Sequence, residues 1–319
     1  MDILIVIVNY RSAGLAIDCL RSLGPEVAGS AGVRAVVVEN ASGVDQVDRI
    51  GAAIAENGWS GWASLVVADR NGGFAAGNNV AIAPALASAG PPRYVWLLNP
   101  DTVVRPGALA ALKDFLDRRP DVGLVGSRLE DPDGTPQRSA FRFPSIRGEI
   151  ESGLRFGPVT RLLAAHVPAP PVSDSVCRAD WVAGASLMVR REVFDAIGLL
   201  DEGYFMYFEE VDFCLRADRA GWPCWYVPSS RVVHLVGQSS GIRVGSERKR
   251  RPAYWFAARR RFFRTNHGRA RTLAADLAHA LALGTYRLRR LIQRKPDDCP
   301  RWMLWDFARY NFLFHSGKR

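Results

Sequence analysis

The chain opens on an unbroken apolar run, Ile3 to Val8, that stops at Asn9 and Tyr10. Apolar, mostly β-branched positions with no polar alternate predict a strand covered on both faces, the first of a parallel sheet. A helix is expected from about Gly14 to Leu23. Arg34 to Val38 repeats the strand pattern and ends in Glu39, Asn40 and Ala41-Ser42-Gly43. Leu65 to Ala68 gives a third strand before Asn71-Gly72-Gly73, and Tyr94 to Leu98 a fourth that runs into Asn99-Pro100-Asp101-Thr102. Polar and glycine residues thus collect at strand ends, where open α/β sheets gather ligands.

Further on, 106–119 reads as a helix with Leu109, Leu112, Phe115 and Leu116 on one face, and Val122 to Val125 as a strand. The stretch 130–175, rich in Pro, Gly and Arg, is expected to be a long irregular connection that closes over a site. Ordered structure should resume over 180–189, with helices over 191–197 and 210–220, the latter ended by Gly221 and Pro223, and a short strand over 230–233. From Ser246 the chain turns aromatic and basic and is expected to be helical to about Leu291, before a last aromatic segment, WMLWDFARYNFLF. No internal repeat is present. The domain reading is 1–242 for a body of two halves, 1–102 and 103–242, with 243–319 as an extension.

Composition divides the chain along the same line. Residues 1–242 hold 22 Lys/Arg against 27 Asp/Glu, and 243–319 hold 20 against 5, so the net charge of +10 combines a body near −5 with a tail near +15. Such a tail suits a polyanion: nucleic acid, anionic lipid or a diphosphate-bearing acceptor. It reads equally as a packed helical appendage with solvated arginines or as a surface that meets lipid headgroups. Five scattered cysteines without a C-x-x-C pair argue against a disulfide framework or cysteine zinc site and fit a reducing cytoplasm. No apolar stretch approaches the roughly 18 residues a membrane span needs, so membrane contact is expected to be peripheral, at the inner face of the plasma membrane.

Four segments carry candidate chemistry. In L-L-N-P-D-T (97–102) a carboxylate ends a buried strand, as a rigid ligand for a hard cation on a nucleotide diphosphate would; a turn-forming Asn-Pro-Asp is the plain alternative. N-G-G-F-A-A-G-N-N (71–79) is a glycine loop opening a helix, where backbone can approach a diphosphate and Asn78 or Asn79 can read a ribose or base; a capped tight turn is its alternative. It is not a Walker loop, because no Lys-Ser/Thr follows. Y-F-M-Y-F-E-E-V-D-F-C-L-R (204–216) sets Glu209, Glu210 and Asp212 at a helix start among aromatics that should raise at least one carboxyl pKa, as for a general base; otherwise they form an acidic first turn paired with Arg216. His234 follows a short strand and gains weight only beside Asp101.

Together and in this order, IVIVNYRS, VVVENAS, NGGFAAGNN, LLNPDT, WVAGASLMVRREVFDAIGLLDEGYFMYFEEVDFCLRADRAGW, VVH and FFRTNHG resemble the family 2 glycosyltransferases of the rhamnosyltransferase-like branch, over about residues 1–268. The resemblance implies an α/β GT-A fold: a Rossmann-like, mostly parallel central sheet flanked by helices, here with a helical basic C-terminal extension. It implies a donor pocket of Val8, Tyr10, Glu39, Asn40, Asn71, Phe74, Asn78 and Asn99, and an acceptor approach at Trp181, Gly184 and Ala185. It further implies Mn2+ or Mg2+ on Asp101 and His234, and Glu210 as base supported by Glu209 and Asp212. Position 39 is Glu and position 99 Asn where stricter members carry Asp. The implied activity is inverting transfer from a dTDP- or UDP-sugar, dTDP-L-rhamnose foremost, to a glycan or polyprenyl-diphosphate-linked saccharide in envelope polysaccharide synthesis. Anionic membrane would be a further partner through 243–319, and no nucleic acid is expected. A catalytically silent scaffold and a nucleic-acid-binding protein are the alternatives; a nucleotidyltransferase should carry a Gly-rich basic signature after the first strand, and none follows Val8.

Overall fold

A computed structural model describes residues 1–28, 30, 32–235, 250–296 and 299–313, together with the backbone of 243–244 and 247–248. Ser246, noted above as the start of the aromatic and basic stretch, lies outside the described residues.

The chain alternates β1 (Ile3–Asn9), α1 (Ala13–Ala28), β2 (Val33–Glu39), α2 (Val44–Glu56), β3 (Ala63–Val67), α3 (Gly73–Leu86), β4 (Tyr94–Leu98), β5 (Thr102–Val104), α4 (Ala108–Arg118) and β6 (Leu124–Glu130). Every residue of β1 and β4 is buried, as expected of strands covered on both faces. Helix α1 buries Ala13, Ala16, Cys19, Leu20 and Leu23, a stripe at helical spacing. Helix α3 reaches the sheet through small residues: a Cβ on Gly77 would fall 2.7 Å from a Val8 methyl.

Beyond β6 come β7 (Ala140–Phe141), α5 (Ile146–Leu154), α6 (Gly157–Leu162), β8 (Cys177–Ala179), β9 (Trp181–Val182), β10 (Ser186–Arg190), α7 (Arg191–Ile197), α8 (Glu209–Arg219), β11 (Cys224–His234), α9 (Ala253–Ile292) and α10 (Met303–Ala308). The main sheet runs β3-β2-β1-β4-β10-β6-β11-β5, with β8 also on β11. It is parallel from β3 through β4 and becomes mixed where β10 enters antiparallel between β4 and β6.

The expectation of an irregular 130–175 is corrected, because α5 and α6 lie inside it. One of the glycines that argued for loop is what α9 packs on: a Cβ on Gly153 would fall 2.7 Å from that of Ala282. The short strand expected over 230–233 is the end of the longer β11, whose register shifts between Val227 and Arg231 around Pro228, so the pattern breaks in mid-strand.

Helix α9 is two limbs that meet at Gly268, whose φ of 78° and ψ of 171° interrupt the helix. Phe262 and Phe263 of the first limb pack with Tyr204, Val211 and Leu215, which attaches the C-terminal segment to α8 and the loop before it. Not all its arginines are solvated: Arg259 is 1% exposed, pairs with Asp276 at 2.5 Å and Glu149 at 3.2 Å, and lies over the Phe263 and Phe307 rings.

Candidate active site

At the carboxyl ends of β1 and β2 the chain turns through Arg11 (φ 57°) and Ala41 (φ 58°), two left-handed non-glycine positions of the kind that cluster at ligand sites. Asn40 donates its backbone N–H to the Asn9 carbonyl at 2.9 Å. Its side-chain amide donates to Asn71 Oδ1 at 3.0 Å and the Gly73 carbonyl at 3.1 Å, which ties the end of β2 to the glycine loop. Asn78 donates to the Phe74 carbonyl at 2.8 Å. These bonds leave Asn9 Nδ2, Asn40 Oδ1 and Asn78 Oδ1 buried without a hydrogen-bond partner. Orphaned buried polar atoms are costly, and three on connected residues at one sheet edge form the polar lining a ligand would satisfy.

Val8, half-exposed Tyr10 and half-buried Asn71 and Phe74 lie in the same region. Glu39 is 1% exposed and accepts the Ser42 N–H on both oxygens, at 3.0 and 3.1 Å, and the Ser42 hydroxyl, so its carboxylate holds the turn after β2. Asn79, open as a ribose reader from sequence, is engaged elsewhere: it donates to the Leu200 carbonyl and Glu202 and accepts from Leu200 N–H. Sequence reasoning passed over Asn9, although a buried polar residue closing an apolar run was the signal.

Asp101 follows β4 and is 1% exposed. Strand β11 returns antiparallel to β5 with His234 opposite Thr102, which brings His234 Nε2 to 3.6 Å from Asp101 Oδ1. The Asp101 carbonyl accepts Leu235 N–H at 2.9 Å. One carboxylate and one imidazole suit Mn2+ or Mg2+ when phosphate oxygens and water supply the remaining positions. Among the described residues no group of three His, Cys, Asp or Glu is arranged to hold a metal, so a cation at this pair would depend on a phosphate-bearing ligand. Asn99 donates its N–H to the Ala185 carbonyl at 3.1 Å and so joins the end of β4 to the segment before β10.

The acidic segment approaches from across the sheet edge. Tyr207 (φ 72°) and Phe208 (φ 68°) are consecutive left-handed residues immediately before α8. Aromatic rings of α9 hold them: Tyr207 stacks on Tyr254 at 6.0 Å, and Phe208 lies 5.6 Å from Phe262. Glu209 is 4% exposed, and burial first, then the Glu210 charge, push its carboxyl well above the usual range. Burial pushes Glu210 up to about 7, with backbone N–H groups of 210, 211 and 184 opposing the rise. Both carboxylates keep one buried oxygen without a hydrogen bond.

Asp212 differs. Its oxygens accept from Tyr204 OH, Asn266 and Arg216, and Arg216 continues to the carbonyls of Ile197 and Leu199. The acidic-turn-with-arginine alternative therefore describes Asp212, not the two glutamates. Gly184 links the halves: a Cβ there would lie 3.4 Å from the Phe74 ring and 3.7 Å from Glu210 Cβ. Trp181 stacks on Phe141 at 4.3 Å and donates Nε1–H to the Arg142 carbonyl, so its ring is fixed. Buried Ala185 completes the segment.

Comparison with known proteins agrees with this geometry. Residues 2–268 match the family described as glycosyltransferase like family 2. An N-acetylglucosaminyl-diphospho-decaprenol L-rhamnosyltransferase of Mycobacterium tuberculosis is 39% identical over 150 residues, covering 46% of this chain and 48% of that protein. Rhamnosyltransferase WbbL of Escherichia coli is 28% identical over 168 residues, 51% of this chain and 61% of its own. These matches thus span about half to three fifths of the curated relatives. Among solved structures, a mannosyltransferase from Pyrobaculum calidifontis in complex with GDP-Man and Mn2+ superposes with a TM-score of 0.55 at 16% identity, over 98% of this chain and 81% of that one. GalNAc-T7 with UDP, GalNAc and Mn2+ gives 0.52 at 15% identity, over 73% and 44%. The fold is GT-A, and with four-fifths of its length matched the chain belongs to the family 2 glycosyltransferases, with rhamnosyltransferases among its relatives.

Proposed function

We propose that the protein transfers a sugar, L-rhamnose from dTDP-L-rhamnose, to a polyprenyl-diphosphate-linked saccharide or growing glycan by single displacement with inversion. The observation that carries the reading is the convergence on one sheet edge of three unpartnered buried amide atoms, the Asp101–His234 pair and two buried glutamates. The donor nucleotide would lie along Val8, Asn9, Tyr10, Asn40, Asn71, Phe74 and Asn78, with Asn99 near its diphosphate. Mn2+ or Mg2+ held by Asp101 and His234 would neutralise the charge that develops on the departing nucleoside diphosphate. Glu210, whose carboxyl burial pushes up to about 7, takes the proton from the acceptor hydroxyl; Glu209, buried beside it, and Asp212, which positions α8, support it. Gly184 and Ala185 leave room for the acceptor beside Glu210, and Trp181 offers it a flat face. The donor sugar is supported by the two relatives above, both rhamnosyltransferases.

The reading includes peripheral membrane contact at the inner face of the plasma membrane. No helix among the described residues is long and apolar enough to cross a membrane. The second limb of α9 nevertheless exposes Leu273, Leu277, Leu281 and Leu288, and α10 follows with exposed Trp305. A leucine stripe among arginines suits an anionic bilayer surface.

Thermal unfolding with dTDP-, UDP- and GDP-sugars, each with and without Mn2+, tests the donor site. A ligand at 100 times its Kd adds roughly 2.7 kcal/mol of stability. Metal-dependent stabilisation by one nucleotide, abolished in Asp101→Ala, is the expected result. The same stabilisation in Asp101→Ala would remove the metal role.

A further inference from the structure

The C-terminal segment meets the body at a cavity of about 340 Å3 that the site above does not use. Ile146 and Phe263 give it an apolar floor, and Arg147, His166, His267 and Arg271 surround it; no acidic side chain lines it. The Arg147 guanidinium contacts His166 Nε2 at 2.9 Å. His267 Nε2 is buried without a hydrogen-bond partner, and its ring rests against Phe262 and Phe263. Burial first, then the charges of Arg219 and Arg271, hold the His267 imidazole below its usual range. Elsewhere in this region basic side chains do find acids, as Arg259 does with Glu149 and Asp276. Among the described residues the cavity's arginines have none.

Its position gives the charge a use. On one side the chain leads from Pro144 of the cavity wall through Phe143 and Arg142 to Trp181, whose indole N–H donates to the Arg142 carbonyl at 3.0 Å, while Phe143 N–H donates to Asp180 at 2.8 Å. On the other side Arg271 is followed on the same helix by the exposed Leu273, Leu277 and Leu281. A molecule that reaches from the indole beside Gly184 and Ala185 into this cavity meets an unbalanced cationic site with an apolar floor, and the exposed leucines lie further along the helix that carries Arg271. A saccharide, a diphosphate and a hydrocarbon chain are the three parts that order would match.

We propose that this cavity binds the diphosphate of a lipid-linked acceptor, with Arg147 and Arg271 on the phosphate oxygens and Ile146 and Phe263 beneath the first units of the hydrocarbon chain. The proposal rests on the acceptor class given under Proposed function. Bidentate guanidinium contacts recognise phosphate oxygens, and an apolar floor separates a lipid diphosphate from a free one.

Isothermal titration of the full chain with farnesyl diphosphate tests this, in EDTA so that no metal at Asp101 and His234 captures the ligand. Farnesyl diphosphate should bind, with inorganic pyrophosphate and farnesol each at least tenfold weaker. The double variant Arg147→Ala/Arg271→Ala should weaken farnesyl diphosphate at least tenfold, while Arg21→Ala/Arg49→Ala, which removes two distant exposed arginines, should not. Both arginines of the cavity are exposed, so unchanged melting temperatures are expected. Unaltered binding in the cavity variant overturns the site. Pyrophosphate binding as tightly as farnesyl diphosphate overturns the lipid assignment. The cavity is judged on this binding and the transfer reading on donor-dependent stabilisation, so either can fail while the other stands.

Discussion

Phe74 donates its backbone N–H to the Phe205 carbonyl at 2.9 Å, directly beside Gly73, whose Cβ would fall 1.8 Å from that oxygen. The glycine loop and the segment leading to the two glutamates are thus joined backbone to backbone, and only glycine fits the junction, at φ 84°. Gly73→Ala should therefore cost at least about 2 kcal/mol of stability, from left-handed strain and displaced backbone, and lower donor affinity as well. Denaturant unfolding and nucleotide titration check both; a variant as stable as wild type would show the junction to be loose.

Glu210→Gln should retain donor binding and lose on the order of a hundredfold to ten-thousandfold in turnover. Wild-type turnover should rise with pH through about 7 as Glu210 ionises. Stability runs the other way. A carboxyl whose folded pKa is raised binds more protons folded than unfolded, so stability falls as pH rises from the usual 4.5 to about 7. Glu210→Gln should flatten that fall by up to about 3 kcal/mol, seen in melts from pH 4.5 to 8. Undiminished turnover would take the base role from Glu210.

Asp212→Ala should act on folding. It removes the acceptor of three donors, one a guanidinium, and should cost about 3 kcal/mol. Metal-dependent donor stabilisation of the folded fraction should survive. Turnover lost with no loss of stability would instead give Asp212 a part in the chemistry.

Leu273→Ser/Leu277→Ser/Leu281→Ser should leave the fold intact, because all three side chains are exposed. Flotation with vesicles containing phosphatidylglycerol should fall at least severalfold relative to wild type. Equal flotation of both proteins would exclude this face as the lipid contact.

The parallel half of the sheet was legible because strands buried on both faces print as continuous apolar runs, as β1 and β4 do. Strand β11 was legible only in part, since Pro228 and Ser229 interrupt its pattern at the register shift. Helix α5 was not: Gly148 and Gly153 read as loop formers, yet Gly153 is small because another helix lies against it. Chemistry-bearing types at strand ends marked Asn40 and Asp101, and the glycine loop that opens α3 marked Asn78. The sequence offered Arg216 as partner to the acidic turn, but no spacing could show that Asp212 alone of the three acids would take it together with Asn266, that Asn79 would turn away to Leu200, or that Glu39 would hold Ser42.

The break at Gly268 lets the two limbs of α9 lie against each other. Arg259 before it pairs with Asp276 beyond it, Phe256 and Leu283 share one buried cluster, and Ala275 joins the cluster of Phe262 and Tyr204. The leucine face and the rings that brace Tyr207 and Phe208 are thus parts of one packed unit, so a force on the leucines would be carried to the wall of the cleft.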